Sequence, residues 1–477
     1  MTEMKTTGMP VGSVLPEIVL IIGAVAVLLY ALFAPRRAQG VCMWLALVTL
    51  GATAVATVPM LAGTQTLTFF DTYAADDTAV WGKLIVLGIT AVAVALSSEW
   101  MRGEPREGEY YTLLLFGALG AIVLAGAADL MELVLGVLLS SATGYVLTAY
   151  HRASARSAEA GIKYFLLSAL TNGGLLYGAV LLFGLGGTTT LVGLRAGLDG
   201  ADVLGLVIAG GLVLLGLAMK LGAVPAHAWM PDVADGAPAP VAAFVTVAPK
   251  VGALVALARV VLILPEDSVG WRPLVAVIAA ATMTLGNLAA LWQDDVRRLL
   301  GWSAVSQSGY GLMAVVALGR SDLAVPALLY FLVAYGAANL AAFGVVVELR
   351  GRADLGSYAG LGGSRPLLGA TLLVAFCSFI GIPPLAGFAA KLTLFGAAID
   401  GGYTWLAVLA VANSVVSLFY YFRILASAYL EPAIRPLPLL GQRALTATLV
   451  SAFAVVAVGV AAEPLLGSFD AARLLPG

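Results

Sequence analysis

Apolar runs of 18 or more residues follow one another along almost the whole chain, separated by short polar intervals. A run of that length crosses the roughly 30 Å hydrocarbon core of a bilayer as a helix. In hydrocarbon every backbone N–H and C=O needs a partner within the segment, and a helix supplies it. The runs lie near 15–33, 41–61, 80–98, 110–127, 130–149, 161–184, 203–222, 239–264, 272–292, 301–319, 323–349, 367–398, 404–428 and 444–468. The expectation is an all-α polytopic membrane protein with about fourteen transmembrane helices, embedded in a lipid bilayer. Composition points the same way: 61% of the 477 residues are hydrophobic and 11% charged, with a mean hydropathy of +0.99. A water-soluble domain could not bury that much apolar surface.

The charges that remain exclude some functions and orient the chain. A formal net charge of -2 offers no basic stripe for a nucleic acid. Cys42 and Cys377 stand alone in apolar runs, and His151 and His227 are far apart, so neither a CxxC motif nor an iron–sulfur ligand set is available. The first run is followed, not preceded, by Arg36 and Arg37, which reads as a retained helix and not a cleaved signal. Alternate loops collect the arginines: Arg36 and Arg37, Arg102 and Arg106, Arg152 and Arg156, Arg297 and Arg298, Arg350 with Arg352 and Arg365, and Arg435 with Arg443. By the positive-inside rule these loops are cytoplasmic. The opposite loops carry few basic residues and acids such as Asp71, Asp76 and Asp77, so both termini are expected on the outer side of the cell's inner (plasma) membrane.

Lysine is distributed differently from arginine. Of six lysines, Lys83, Lys163, Lys220, Lys250 and Lys391 fall within apolar runs. An ionisable side chain at the bilayer centre costs roughly 2.5–3.5 kcal/mol on insertion scales and marks a functional site by default. Arginine stays protonated, whereas a desolvated lysine can lose its proton near neutral pH, so a series of buried lysines can act as a relay. Lys83, a few residues into its run, is also read as a snorkelling or structural cation. Lys163 lies near a helix start with Glu159 four residues before it as a helix-face partner. Pro238 and Pro240 open the eighth run and Lys250 follows ten residues later, about 15 Å along a straight helix. Arg259 is expected to reach the outer interface.

Lys220 and Lys391 sit beside helix-breaking residues. The seventh run is interrupted just past Lys220, at Gly222 and Pro225, and the twelfth shortly before Lys391, at Gly381, Pro383 and Pro384. The twelfth would measure about 48 Å if straight, so a break or strong tilt is required. Broken helices in matching positions of two halves are the pattern of transporters built from inverted repeats. The organisation expected is an N-terminal three-helix segment (1–109), two inverted five-helix repeats (110–264 and 272–428) and a C-terminal helix (429–477), with helices 7 and 12 broken. His227, between proline-rich turns, is placed to pass protons between the halves.

Five segments then carry a family resemblance: Leu15-Pro-Glu-Ile-Val-Leu; Arg156-Ser-Ala-Glu159-Ala-Gly-Ile-Lys163-Tyr-Phe-Leu-Leu; Pro225-Ala-His227-Ala-Trp229-Met-Pro231-Asp232-Val; Gly236-Ala-Pro-Ala-Pro240-Val-Ala-Ala-Phe; and Gly381-Ile-Pro383-Pro384-Leu-Ala-Gly387-Phe-Ala-Ala-Lys391. In this order the chain resembles the subunit N family of bacterial NADH-quinone oxidoreductase (complex I), one of its antiporter-like proton-channel subunits. The resemblance implies fourteen spans with two inverted repeats and a buried proton path along Lys220, Lys250, His227 and Lys391. It also implies that NADH, flavin, iron–sulfur clusters and quinone belong to partner subunits, with no cofactor in this chain, and that its partners are the other membrane-arm subunits.

The fifth run departs from that pattern. The family places a glutamate seven residues ahead of a Tyr-Val-Leu triplet, where its charge tunes the lysine; counting back from Tyr145-Val146-Leu147 gives Leu138. The nearest acid, Glu132, lies about 9 Å toward the outer face and roughly 240° round the helix. It reads either as a relocated partner of Lys220 or as an interfacial residue beside Asp129. Three rival functions are a subunit of a related cation/proton antiporter or membrane-bound hydrogenase, a non-pumping scaffold suggested by Leu138, and a solitary transporter for a small solute.

Overall fold

The computed structural model describes residues 10–63, 65–266, 270–433 and 440–475; Arg435 lies outside them. The N-terminal part is α1 (Leu15–Phe33), α2 (Val41–Thr57), a short antiparallel hairpin of β1 (Thr66–Thr68) and β2 (Tyr73–Ala75), and α3 (Asp77–Ser97). There follow α4 (Glu107–Gly126), α5 (Leu130–Thr148), α6 (Ala155–Gly186), the short α7 (Leu191–Gly197), α8 (Val203–Leu221), α9 (Trp229–Gly236), α10 (Ala239–Val245) and α11 (Ala248–Ile263). The remainder is α12 (Trp271–Leu291), α13 (Val296–Ala317), α14 (Ala324–Glu348), α15 (Leu361–Ser364), α16 (Pro366–Ile380), α17 (Ala386–Asp400), α18 (Thr404–Leu430), α19 (Gln442–Val460) and α20 (Ala462–Phe469). Side-chain caps start the long helices. Asp76, Asp129, Ser154, Asp202 and Asp295 accept from backbone N–H groups in the first turns of α3, α5, α6, α8 and α13.

Twelve segments among the described residues are long and apolar enough to cross a membrane. Two of the fourteen expected runs fall outside that set. One is α13, which begins with Arg297 and Arg298 and carries Ser303, Ser306, Gln307 and Ser308. The other is the twelfth run, which is split into α16 and α17, each of 15 residues. The segment Leu355–Ser364 is long and apolar enough to cross only together with Pro366–Ile380, and the two are bent by 116°.

The eighth run corrects the expectation of a straight helix: it breaks between α10 and α11, where Val247 departs from helical geometry ahead of Pro249. Proline cannot donate to the preceding turn and disfavours helix in the residue before it, so Pro249 is the signal that marks the break. The last run also ends early, at Val460, and continues as the separate α20.

Burial separates a wall from a centre. Only 33% of the apolar window of α19 and 39% of those of α6 and α18 is buried within the chain, whereas Ala239–Ile263 is 100% and α14 89% buried. α10, α11 and most of α14 are therefore enclosed by the rest of the chain, and α13 is enclosed beside them. Close approach at the centre relies on small residues: a Cβ on Gly252 of α11 would stand 2.2 Å from the Ala121 carbonyl oxygen of α4.

Candidate functional site

Three lysines lie at or beside the helix breaks, and all are buried. Lys220 is the penultimate residue of α8, Lys250 the third residue of α11, and Lys391 the sixth of α17; their exposures are 0%, 2% and 5%. Each break leaves backbone groups without helical partners, and at the break before α17 Lys391 takes up part of that deficit. Lys391 Nζ donates to the Ile380 carbonyl at 3.1 Å, the last residue before the break, and to Ser414 Oγ at 2.9 Å. Lys250 Nζ donates to the Ala304 carbonyl and lies 3.4 Å from Tyr335 Oη. Lys220 Nζ is buried with no hydrogen-bond partner among the described residues and stands 5.9 Å from the centre of the Tyr164 ring. The other two ammonium groups also face aromatic rings, Tyr335 at 5.1 Å and Tyr310 at 4.3 Å. No described carboxylate pairs with any of the three.

α13 joins them. Ser308 Oγ donates to the Leu221 carbonyl next to Lys220 and lies 3.0 Å from the Ala304 carbonyl that Lys250 also uses. The adjacent Gln307 lines a small cavity together with Tyr335, Phe379 and Lys391. On the far side of Lys391, Ser414 Oγ is 3.0 Å from Tyr310 Oη, which donates to the Ala410 carbonyl at 3.1 Å. Gln307 and Ser308 lie three and four residues after Ala304, on the same side of the helix, while Tyr310, three residues after Gln307, lies beside Gln307 and away from Ser308. The sequence marks this helix as a span, at 301–319, without a role for its polar residues. Its signal was polar residues at helical spacing inside an otherwise apolar run.

The other expected residues are placed elsewhere. Lys163 is not buried: its side chain is 48% exposed, in ion pairs with Glu159 at 2.7 Å and Asp232 at 3.1 Å, and Asp232 also pairs with Arg298 at 2.7 Å. A long side chain near a helix end reaches the polar rim, which corrects its inclusion among the buried lysines. His227 is half-buried between α8 and α9, its Nδ1 without a hydrogen-bond partner and its ring 5.6 Å from that of Trp302. Arg259 does not reach an interface. It is wholly buried and clamps Asp76 at 2.6 and 2.8 Å, because a guanidinium finds a bidentate partner there. Leu138 is 44% exposed, on the outside of the chain. Glu132 stands in the first turn of α5, three residues after the cap Asp129, and among the described residues is not in an ion pair with Lys220. Among the described residues no group of three or more His, Cys, Asp or Glu side chains is arranged to hold a metal ion.

Comparison with known proteins places this arrangement. Residues 127–417, more than half of the chain, match the family described as NADH:quinone oxidoreductase/Mrp antiporter, TM. The NADH-quinone oxidoreductase subunit N of Mycobacterium sp. (strain JLS) is 44% identical over 412 residues, covering 86% of this chain and 87% of its own length. The chain belongs to the subunit N family. A chain of respiratory complex I from Thermus thermophilus with bound Aureothin superposes with a TM-score of 0.82 at 29% identity, over 95% of this chain and 98% of that one. A chain of the Mrp complex from Dietzia sp. DQ12-45-1b superposes equally well, with a TM-score of 0.83 over 97% of both chains, but at 22% identity it shares the fold alone. The antiporter-like architecture is thus common to both assemblies, while the sequence sides with subunit N.

Proposed function

We propose that this chain is a proton-translocating membrane-arm subunit of a NADH:quinone oxidoreductase, carrying protons along Lys220, Lys250 and Lys391 without itself holding a redox centre. The observation that carries the reading is that three lysines, buried at or beside helix breaks and lacking carboxylate partners among the described residues, are arranged around the polar residues of α13. Burial without a counter-charge brings the charged and neutral forms of an amine closer in free energy. Hydroxyls such as those of Ser308, Ser414 and Tyr310 can both donate and accept, which a relay requires. Redox chemistry in partner subunits would move charge next to one end of the line and shift protons along it, with His227 beside the break after Lys220. Residues 110–264 and 272–428 then form two inverted halves, and both termini face the outer side.

The test is proton pumping by membrane vesicles carrying the whole complex, with NADH oxidation followed separately. Lys220→Ala and Lys391→Ala are expected to lower the protons moved per electron while the complex still assembles. Unchanged pumping in both would leave the lysines structural and favour a scaffold role, the reading to which Leu138 in place of the family glutamate lends support.

A further inference from the structure

The outer wall of the chain carries a groove that the lysine line does not use. It lies between α3 and α19, with α2 at one end, α20 at the other and α14 along its floor. Two cavities of about 430 and 420 Å³ form it, and they share Val92 of α3 and Val450 of α19. The first begins at Trp44, Gln442 and Arg443, and the second reaches Val458 and Phe469. The stretch of α19 from Gln442 to Val458 measures about 24 Å as a helix, most of a roughly 30 Å hydrocarbon core. Gly88 and Val450 are exposed along it.

The lining offers no free hydroxyl among the described residues. Thr446 and Ser451 turn their hydroxyls back to the carbonyls of Gln442 and Ala447 in their own helix, at 2.8 and 2.9 Å. Beyond Gln442 and Arg443 the other side chains that line the groove are apolar, and Trp81 meets Phe469 edge-on at 4.9 Å at the far end. Charge sits at the near mouth alone. The Arg443 guanidinium lies 5.6 Å from the centre of the Trp44 ring and has no carboxylate partner among the described residues. Glu99, the acid at this end, is taken up by the N-terminus of α19, where it accepts from the N–H groups of Arg443 at 3.0 Å and Ala444 at 2.9 Å. The result is a long apolar slot with one uncommitted cation where it meets the membrane surface.

We propose that this groove holds one anionic phospholipid, its acyl chains lying between α3 and α19 and its phosphate on Arg443. Lipid tails are as apolar as the groove, so packing alone selects no occupant in a bilayer. The guanidinium does, because its planar fork matches a phosphate. A partner helix is about 10–12 Å across and would fill roughly 2,000 Å³ over the depth of the core. Such a helix could lie over these two cavities but not enter them, whereas flexible acyl chains can. Seated there, the lipid ties α3 to α19 and packs against Val333, Ala337 and Leu340 of α14.

The test is photolabelling of the whole complex in phosphatidylcholine vesicles containing a trace of phosphatidylglycerol with a diazirine in its acyl chain, followed by mapping of the labelled peptides. Pumping is not read, so the outcome is decided separately from the lysine proposal. Peptides of α3 and α19 are expected to be labelled more heavily than those of the lipid-facing α6. A Cβ on Gly88 meets nothing within 4 Å, so the ring in Gly88→Phe grows into the groove, and this variant is expected to lose the labelling of α3 and α19 while that of α6 stays. Labelling of α3 and α19 no heavier than that of α6 in wild type, as when a partner subunit covers the groove, overturns the proposal, and so does unchanged labelling in Gly88→Phe. Should Gly88→Phe fail to assemble, Arg443→Gln carries the test: its labelling is expected to fall to that given by a phosphatidylcholine probe with the same diazirine, and an undiminished preference for phosphatidylglycerol overturns the proposal equally.

Discussion

A buried ion pair and a half-exposed one respond differently to mutation. Asp76 and Arg259 are both fully enclosed, with side-chain exposures of 0%. Asp76→Asn strands a guanidinium in the interior, a change that typically costs about 3–5 kcal/mol. A clear drop in the unfolding temperature of the purified complex, or loss of assembled complex, is expected. Lys163 is the contrasting case, because its pairs with Glu159 and Asp232 are half-exposed and exposed pairs contribute at most about 1 kcal/mol. Lys163→Ala is expected to leave thermal stability nearly unchanged and pumping intact under conditions where Lys220→Ala lowers it. Equal losses of pumping in the two variants would put Lys163 on the route after all.

At the scale of elements, the break before Lys391 depends on how closely α16 and α17 approach. A Cβ on Gly387 would stand 1.8 Å from the Ser378 carbonyl oxygen, whereas one on Gly396 of the same helix would meet nothing closer than Leu323 Cδ1 at 3.5 Å. Forcing a methyl into backbone costs about 1–3 kcal/mol or more. Gly387→Ala is therefore expected to lose assembled complex on native gels and Gly396→Ala to keep it. Behaviour of the two variants alike would mean that the break tolerates movement.

The connection between α11 and α12 has its own pH signature. Glu266 is held below its ordinary value by hydrogen bonds from Arg272, with the charges of Arg272 and Arg320 adding to them and partial burial opposing. A carboxyl with a lowered folded value contributes stability that is present above its unfolded value and is lost as pH falls through the folded one. Thermal scans should show wild type losing stability on acidification more steeply than Glu266→Gln. Parallel curves would remove Glu266 as a contributor.

For the whole molecule, orientation is the property that the proposed proton direction depends on. Asp71 and Ala153 are both exposed, at opposite ends of the helices. With both termini outside, a cysteine introduced as Asp71→Cys is expected to react with an impermeant maleimide in intact cells, and one introduced as Ala153→Cys only after the membrane is opened. The reverse pattern would invert the topology.

Much of this was legible in the residues themselves. Continuous apolar runs dictate helices in hydrocarbon because no other local structure pairs every backbone group within one segment. Gly222, Pro225, Gly381, Pro383 and Pro384 announce two breaks because glycine and proline act on their own backbone. Lysines within apolar runs announce a function because their cost in lipid is local too. What the sequence could not decide is which buried groups face one another. That depends on helix rotation and packing across hundreds of residues, as when Asp76 meets Arg259 or Ser308 of α13 reaches the carbonyl beside Lys220. For Lys163 the sequence showed the helix start and the Glu159 partner four residues before it, but not the exposure of its side chain or its second pair with Asp232, which packing decides. Local chemistry determined the helices, their breaks and the candidate lysines. The tertiary structure alone decided their partners, because hydrogen bonds and ion pairs are made across space.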